Sequence, residues 1–326
     1  MYRVAILGYG GIGHVHAGSY YELEQAGKAK LVSVFDKYPA SFSEKTAINT
    51  SSDTQPKPVF HAYTDLEEML SKERIDVIDI CLPTNLHKDC AVSMLSRGYH
   101  VMCEKPMATS YEDCHEMRKA AEQAGKCLMI GHCLRFFSEY EYLKDAVTDG
   151  RFGAVRSAFF ERLSAPPIWC KEGWNLKKEN FGGCLYDMHI HDVDMAYYLF
   201  GEPKNMICQA KDGYGRMDRV TSLLAYDDHL VTLVADWSLP NFPFRAAYRV
   251  SFEKATVVCQ SGSVKVYPDE GEPFEPVLDR TNGYTKELAY FLDAVAGNNR
   301  MEKNRVSDSA ETVRLILSLA ACAENE

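Results

Sequence analysis

The stretch YRVAILGYGGIG, Tyr2–Gly13, decides the reading of the fold. Its first half is a short apolar run suited to a strand. Its second half fits G-x-G-x-x-G and opens a helix that runs from about Ile12 to Gln25. A strand, a glycine-rich turn and a helix in that order make a phosphate-binding turn for a dinucleotide. Gly8 permits the tight turn, Gly10 lets the backbone approach a pyrophosphate, and Gly13 lets helix and strand pack closely. Gly11 and Ile12 add backbone amides at the helix start, where the helix dipole favours an anion. The motif alone is weak, and a glycine turn without a ligand is the competing reading. Its place directly after an N-terminal strand gives it weight.

Outward from this turn, KLVSVFD reads as the next strand and ends on Asp36, about 20 residues past Gly13. An acid there accepts hydrogen bonds from ribose hydroxyls and repels a 2′-phosphate, which favours NAD over NADP. Lys37 softens that preference, and a turn or capping role for Asp36 is the alternative. IDVIDICL, YHVMCE and KCLMIGH continue the strands, with helical NLHKDCAVSMLSRG and SYEDCHEMRKAAEQAG between them. Buried runs alternating with helices predict a doubly wound parallel sheet. Two more strand ends border the same crevice, because ligands sit beyond the carboxyl ends of such strands. One carries Pro83, Thr84, Asn85 and His87 as cofactor contacts, with helix capping as the alternative for Thr84 and Asn85. The other carries Glu104 and Lys105 before Pro106. A lysine held there can donate to a substrate oxygen.

The polar segment PASFSEKTAINTSSDTQPKP reads as a short helix and a surface loop without chemistry. Beyond it the alternation resumes, and then changes after about residue 131. AVRSAFFERL, NMICQAK, RVTSLLAYD, HLVTLVADWSL, AAYRVSFE, ATVVCQ and SVKVYP are strands, and from NMICQAK onward they follow one another without helices. Tight connections at YDDHL and SFEKATV predict an antiparallel sheet. The division is therefore a dinucleotide-binding domain at 1–131 and an α+β domain with a large, mostly antiparallel sheet at 132–326.

The 326 residues carry a net charge of -10, which argues against nucleic acid or an anionic membrane as partner. Eleven cysteines are scattered without a CxxC pair, so reduced, buried thiols in the cytoplasm are the expectation, with no metal. No leader or apolar span is visible.

GGCLYDMHIHDVD, Gly182–Asp194, poses the main chemical question. On a strand, Asp187, His189 and His191 point to one side and make a metal site. On a helix, His189 and His191 diverge by about 200°, while Asp187 and His191 lie about 40° apart. Val193, Ala196, Tyr197 and Phe200 fall at helical spacing and Gly201 closes the run, so the stretch presents an Asp–His pair. Histidine suits proton removal from an alcohol near neutral pH. His191 is the candidate general base, Asp187 its orienting or relay partner, and Lys105 the cation that stabilises the developing alkoxide. Asp192 and Asp194 point elsewhere, as solvated or structural groups. His132 and Arg135 are candidate substrate contacts, with an interdomain salt bridge as the alternative for Arg135. Trp169, Trp174 and Asn175 are candidates for the wall of a sugar pocket; Tyr284 is a weaker one.

GYGGIGHVHA, PTNLH, CEKP and GGCLYDMHIHDVDMAYYLFGEP, in that order, resemble the Gfo/Idh/MocA oxidoreductases over nearly the whole chain. The resemblance implies a Rossmann domain followed by the antiparallel-sheet domain, NAD or NADP as cofactor, and a sugar, polyol or cyclitol substrate. It places the family's lysine at Lys105 and its acid and histidine at Asp187 and His191. Many members have glycine where this chain has His189. A homodimer or homotetramer is implied as well. An NAD-dependent glycosidase acting by transient oxidation, a non-catalytic dinucleotide-binding regulator and a metal-dependent hydrolase are the competing functions.

Overall fold

The computed structural model describes residues 1–43, 58–167 and 182–324. It divides into two compact units, Met1–Phe136 with Thr281–Ala310, and Phe137–Arg280 with Glu311–Glu326. The boundary anticipated at 131/132 thus falls a few residues later, and a late segment returns to the first unit. The reason is packing. Leu288, Phe291 and Leu292 join Val4, Ile6, Tyr20 and Phe136 in one buried cluster.

The first unit holds a six-stranded parallel sheet: β1 (Tyr2–Leu7), β2 (Ala29–Phe35), β3 (His61–Tyr63), β4 (Val77–Ile80), β5 (His100–Glu104) and β6 (Leu128–Gly131). Their order is β3-β2-β1-β4-β5-β6. Strand order reverses between β1 and β4, which is where such sheets bind ligands. Val4 to Leu7 and Val77 to Ile80 are buried throughout, as strands covered on both faces require. α1 (Gly11–Gln25) leaves from the end of β1, and α2 (Leu66–Lys72), α3 (His87–Ser96) and α4 (Tyr111–Ala124) follow. Ser110 caps α4 by accepting the N–H of Asp113, and Gly125 ends it in the left-handed conformation. α7 (Gly283–Val295) packs on α1.

In the second unit β7 (Val155–Leu163), β8 (Asn205–Lys211), β9 (Arg219–Ala225), β10 (Leu230–Asp236), β11 (Arg245–Phe252), β12 (Ala255–Gln260) and β13 (Ser263–Pro268) form a sheet ordered β13-β12-β11-β7-β10-β9-β8. Every pair is antiparallel except β7 with β10. Burial alternates along β9 and β10, so one face is covered and the other is not. α5 (Ser138–Asp149) and α6 (Ile190–Phe200) lie in this unit, and α8 (Val306–Glu324) closes the chain. Among the described residues no helix is long and apolar enough to cross a membrane.

Candidate functional site

The glycine turn sits at the reversal of strand order. Gly8 has φ +94°, and a Cβ there would stand 2.5 Å from the carbonyl oxygen of Cys81 at the end of β4. A Cβ on Gly13 would stand 2.3 Å from the carbonyl oxygen of Gly8. Gly10 differs, since a Cβ there would meet nothing within 4 Å. Gly10 is also the cap residue of α1, with no side chain covering the first amides and no acid in the first turn. Open space, uncapped N–H groups and the helix dipole together fit a pyrophosphate. Gly11 and Ile12 are half-buried in that first turn.

Asp36 follows β2 and is 8% exposed. Its Oδ2 accepts the N–H of Tyr9 and its Oδ1 that of Tyr38, each at 2.8 Å. The turn role therefore exists, and each oxygen retains a lone pair for a further donor. Lys37 Nζ lies 4.6 Å from the centre of the Tyr38 ring.

At the end of β4, Pro83 precedes a single 3-10 turn, Thr84–Leu86. Thr84 is buried and Asn85 exposed, and α3 starts without a side-chain cap, so neither residue is a capping group. His87 lies between two backbone carbonyl groups. It is 1% exposed, with Nδ1 2.8 Å from the Pro106 carbonyl oxygen and Nε2 2.7 Å from that of Leu82. Burial lowers its pKa. Glu104 is likewise buried, and its Oε2 accepts the N–H of Lys105 at 3.2 Å. Lys105 itself is half-buried.

In the second unit, Leu185–His189 forms a π-helical turn that runs into α6. The helical reading of Gly182–Asp194 holds, with one more residue in its first turn than an α-helix has. Asp187 and His191 are half-buried, while Met188, His189, Ile190 and Asp192 are buried. His189 is fully buried and its Nε2 is 2.8 Å from Ser222 Oγ on β9. Burial, with Arg162 adding to it, pushes its pKa down to about 3, so the ring is neutral. Asp192 is not solvated: it binds Arg162 at 2.9 and 3.2 Å, both side chains buried. Asp194 is also buried and accepts the Thr312 hydroxyl at 3.0 Å.

Arg135 is buried in the first unit. It is 1% exposed and donates to the Lys303 carbonyl oxygen at 3.2 Å and to Asp308 at 3.4 Å, all within the first unit. His132 is also buried, at 1% exposure. Trp169, Trp174 and Asn175 lie outside the described residues. Tyr284 is half-buried, its ring centre 6.1 Å from that of His16.

One cluster was not anticipated. His16, Asp79 and Cys81 are buried together, with ligand-type atoms within 4.8 Å of one another. His16 Nδ1 is 2.8 Å from Asp79 Oδ2 and 3.5 Å from Cys81 Sγ; Nε2 is 3.2 Å from Glu104 Oε1. Burial alone would lower the pKa of His16, but Asp79 and Cys81 raise it well above its ordinary value. The available signal was an aspartate inside the apolar run VIDIC, since buried carboxylates need partners.

Comparison with known proteins adds a family. The model "Oxidoreductase family, NAD-binding Rossmann fold" matches residues 2–132, and "GFO/IDH/MocA C-terminal domain" matches 140–264. The 2,7-anhydro-N-acetylneuraminate hydratase of Escherichia coli (strain K12) is 34% identical over 139 residues, covering 43% of this chain and 37% of that protein. The chain thus matches little more than a third of the hydratase's length. The inositol 2-dehydrogenase of Rhizobium meliloti (strain 1021) is 26% identical, covering 94% of this chain and 95% of that protein. Among solved structures, the WlbA dehydrogenase from Bordetella pertussis in complex with NADH and UDP-GlcNAcA superposes with a TM-score of 0.79 at 19% identity, over 99% of this chain and 96% of that one.

Proposed function

The chain belongs to the GFO/IDH/MocA family of NAD-binding oxidoreductases, and on that premise we propose that it transfers a hydride between NAD and a hydroxyl-bearing carbon of a sugar, polyol or cyclitol. The observation that carries the reading is the open, uncapped helix start at Gly10, placed at the reversal of strand order with Asp36 beside it. Gly8, Gly10, Gly11, Ile12, Gly13 and Asp36 are the residues that would hold the dinucleotide, and the Asp36 carboxylate favours NAD over NADP. The bound nicotinamide supplies the hydride acceptor.

The chain's own residues handle the proton and the charge. His191 takes the hydroxyl proton in oxidation and returns it in reduction, a contribution of roughly 10²–10⁴ in rate. Asp187, four residues earlier, orients that imidazole. The Lys105 ammonium donates to the reacting oxygen and stabilises negative charge as it develops there. His189, neutral and bonded to Ser222, holds the turn rather than the substrate. The inositol dehydrogenase relative, aligned over nearly the full length, supports a polyol or cyclitol.

A second reading has its own support in the hydratase relative. Transient oxidation followed by re-reduction would let the chain add or remove water, or cleave a glycosidic bond, with no net reduced cofactor. Absorbance of reduced NAD against a panel of polyols and aldoses separates the two: net reduction supports the dehydrogenase. Product release with unchanged absorbance supports the second reading. Lys105→Met and His191→Ala should abolish turnover and leave dinucleotide affinity intact; lost affinity in the histidine variant contradicts the roles assigned.

We also place the chain in a reducing cytoplasm, because its described cysteines are free thiols and most are buried. A homo-oligomer, as a dimer or tetramer, is supported by the uncovered sheet face, where Ile207 and Leu230 are 49% and 50% exposed.

A further inference from the structure

Two buried histidines flank the turn that carries Lys105, His16 at ion-pair distance from the Glu104 carboxylate and His87 beside the Pro106 carbonyl oxygen. His16, on α1, faces Oε1 of Glu104 with Nε2 at 3.2 Å and Oδ2 of Asp79 with Nδ1 at 2.8 Å. Glu104 Oε2 in turn accepts the backbone N–H of Lys105. Gly131, at the end of β6, closes another side of that carboxylate: a Cβ there would stand 2.7 Å from Oε1. Beyond Lys105, His87 holds the carbonyl oxygen of Pro106. The backbone of residues 104–106 is therefore anchored by His87 of α3 and by the Glu104 carboxylate, which stands between His16 of α1 and the end of β6.

We propose that His16, acting through Glu104, is a positioning residue that sets the place of the Lys105 ammonium. The proposal rests on reading Lys105 as the group that binds the reacting oxygen. A lysine has four rotatable methylenes, so a fixed backbone origin is what limits where its ammonium can reach. Misplacement by about 1 Å can cost about 10²-fold in rate. A metal ion is not the better account of the cluster. Ligand atoms around a tetrahedral ion, at about 2.0–2.3 Å each, stand more than about 3.2 Å apart. Nδ1 and Oδ2 are closer than that and share a hydrogen bond.

The two nitrogens of His16 can be tested separately. Glutamine keeps a nitrogen where Nε2 stands, near Glu104; asparagine keeps one where Nδ1 stands, bonded to Asp79. The full chain is reductively methylated with ¹³C-formaldehyde, and the dimethyl-Lys105 resonance is assigned by its loss in Lys105→Arg. His16→Asn should move that resonance and lower kcat on a polyol and aldose panel by about 10- to 100-fold, with affinity for NAD unchanged. His16→Gln should leave both near the parent values. Equal behaviour of the two variants, or an unmoved resonance in His16→Asn, overturns the proposal; so does a His16→Met variant, similar in size to glutamine, that matches His16→Gln in resonance and kcat. Should both variants fail to fold, Glu104→Gln carries the test. It removes the charge that faces His16 and leaves one oxygen for the Lys105 N–H, so the Lys105 resonance must shift, and an unmoved one overturns the proposal. If the parent chain turns over none of the panel, the proposed function falls while the resonance still decides the role of His16.

Discussion

Tyr9 donates its backbone N–H to Oδ2 of Asp36 over 2.8 Å, which ties the end of the second strand to the glycine turn. With Tyr38 N–H on Oδ1, the carboxylate is held at the point where a ribose is expected. Asp36→Ala removes a charge that would repel a 2′-phosphate. We expect the NAD/NADP affinity ratio to fall by roughly 10-fold, about 1.4 kcal/mol. Fluorescence titration with the two reduced dinucleotides checks this, and an unchanged ratio contradicts the ribose role.

Gly10 and Gly13 belong to one motif but should fail differently. A Cβ at Gly13 meets the Gly8 carbonyl oxygen at 2.3 Å, so Gly13→Ala forces strand and helix apart. We expect a destabilisation of about 1–3 kcal/mol, read as a lower denaturant midpoint. A Cβ at Gly10 meets nothing within 4 Å, and the residue has φ -85°. Gly10→Ala should keep parental stability and lose dinucleotide affinity. Equal stability losses in the two variants would count against the space assigned to the cofactor.

Asp192 lies one residue from the proposed base, yet its chemistry differs. Its carboxylate and the Arg162 guanidinium are buried together, so removing Asp192 takes a counterion from a buried charge. Asp192→Ala should destabilise the second unit by about 3–5 kcal/mol. Asp192→Leu combined with Arg162→Met should recover most of that. Chemical denaturation followed by tryptophan fluorescence tests it; a double variant no more stable than Asp192→Ala would reject a paired role.

What the sequence shows depends on how far apart the interacting residues lie in the chain. The glycine turn and the period-two strands of the second sheet are local patterns, and the fold contains both. Asp187 and His191 are singled out by their four-residue spacing together with the family resemblance, and both are half-buried in the helical segment. The partner of Arg135, Asp308, is remote in sequence, so no local pattern announced that ion pair. The same holds for His87, whose Nδ1 lies 2.8 Å from the carbonyl oxygen of Pro106. The π-helical turn at Leu185–His189 carries no glycine or proline mark of its own, and nothing local announced it.

His189 makes acid stability a measurable property of the second unit. Its pKa is about 3 when folded, because burial disfavours the charged ring, and about 6.5 when unfolded. Below about pH 6.5 the unfolded chain gains a proton that the folded chain refuses, so stability falls as pH drops towards 3. His16 has the opposite sign. Its raised pKa adds stability that is fully present below about 6.5 and is lost only as pH rises through the folded value, so it is constant in the acid window. From His189 alone the slope reaches at most about 1.4 kcal/mol per pH unit. Glutamine can keep the bond to Ser222 without titrating. Urea midpoints at neutral pH and one unit either side of 6 should therefore fall less with acid in His189→Gln than in the parent. Parallel lines for the two proteins would mean that the buried ring accepts its proton without penalty.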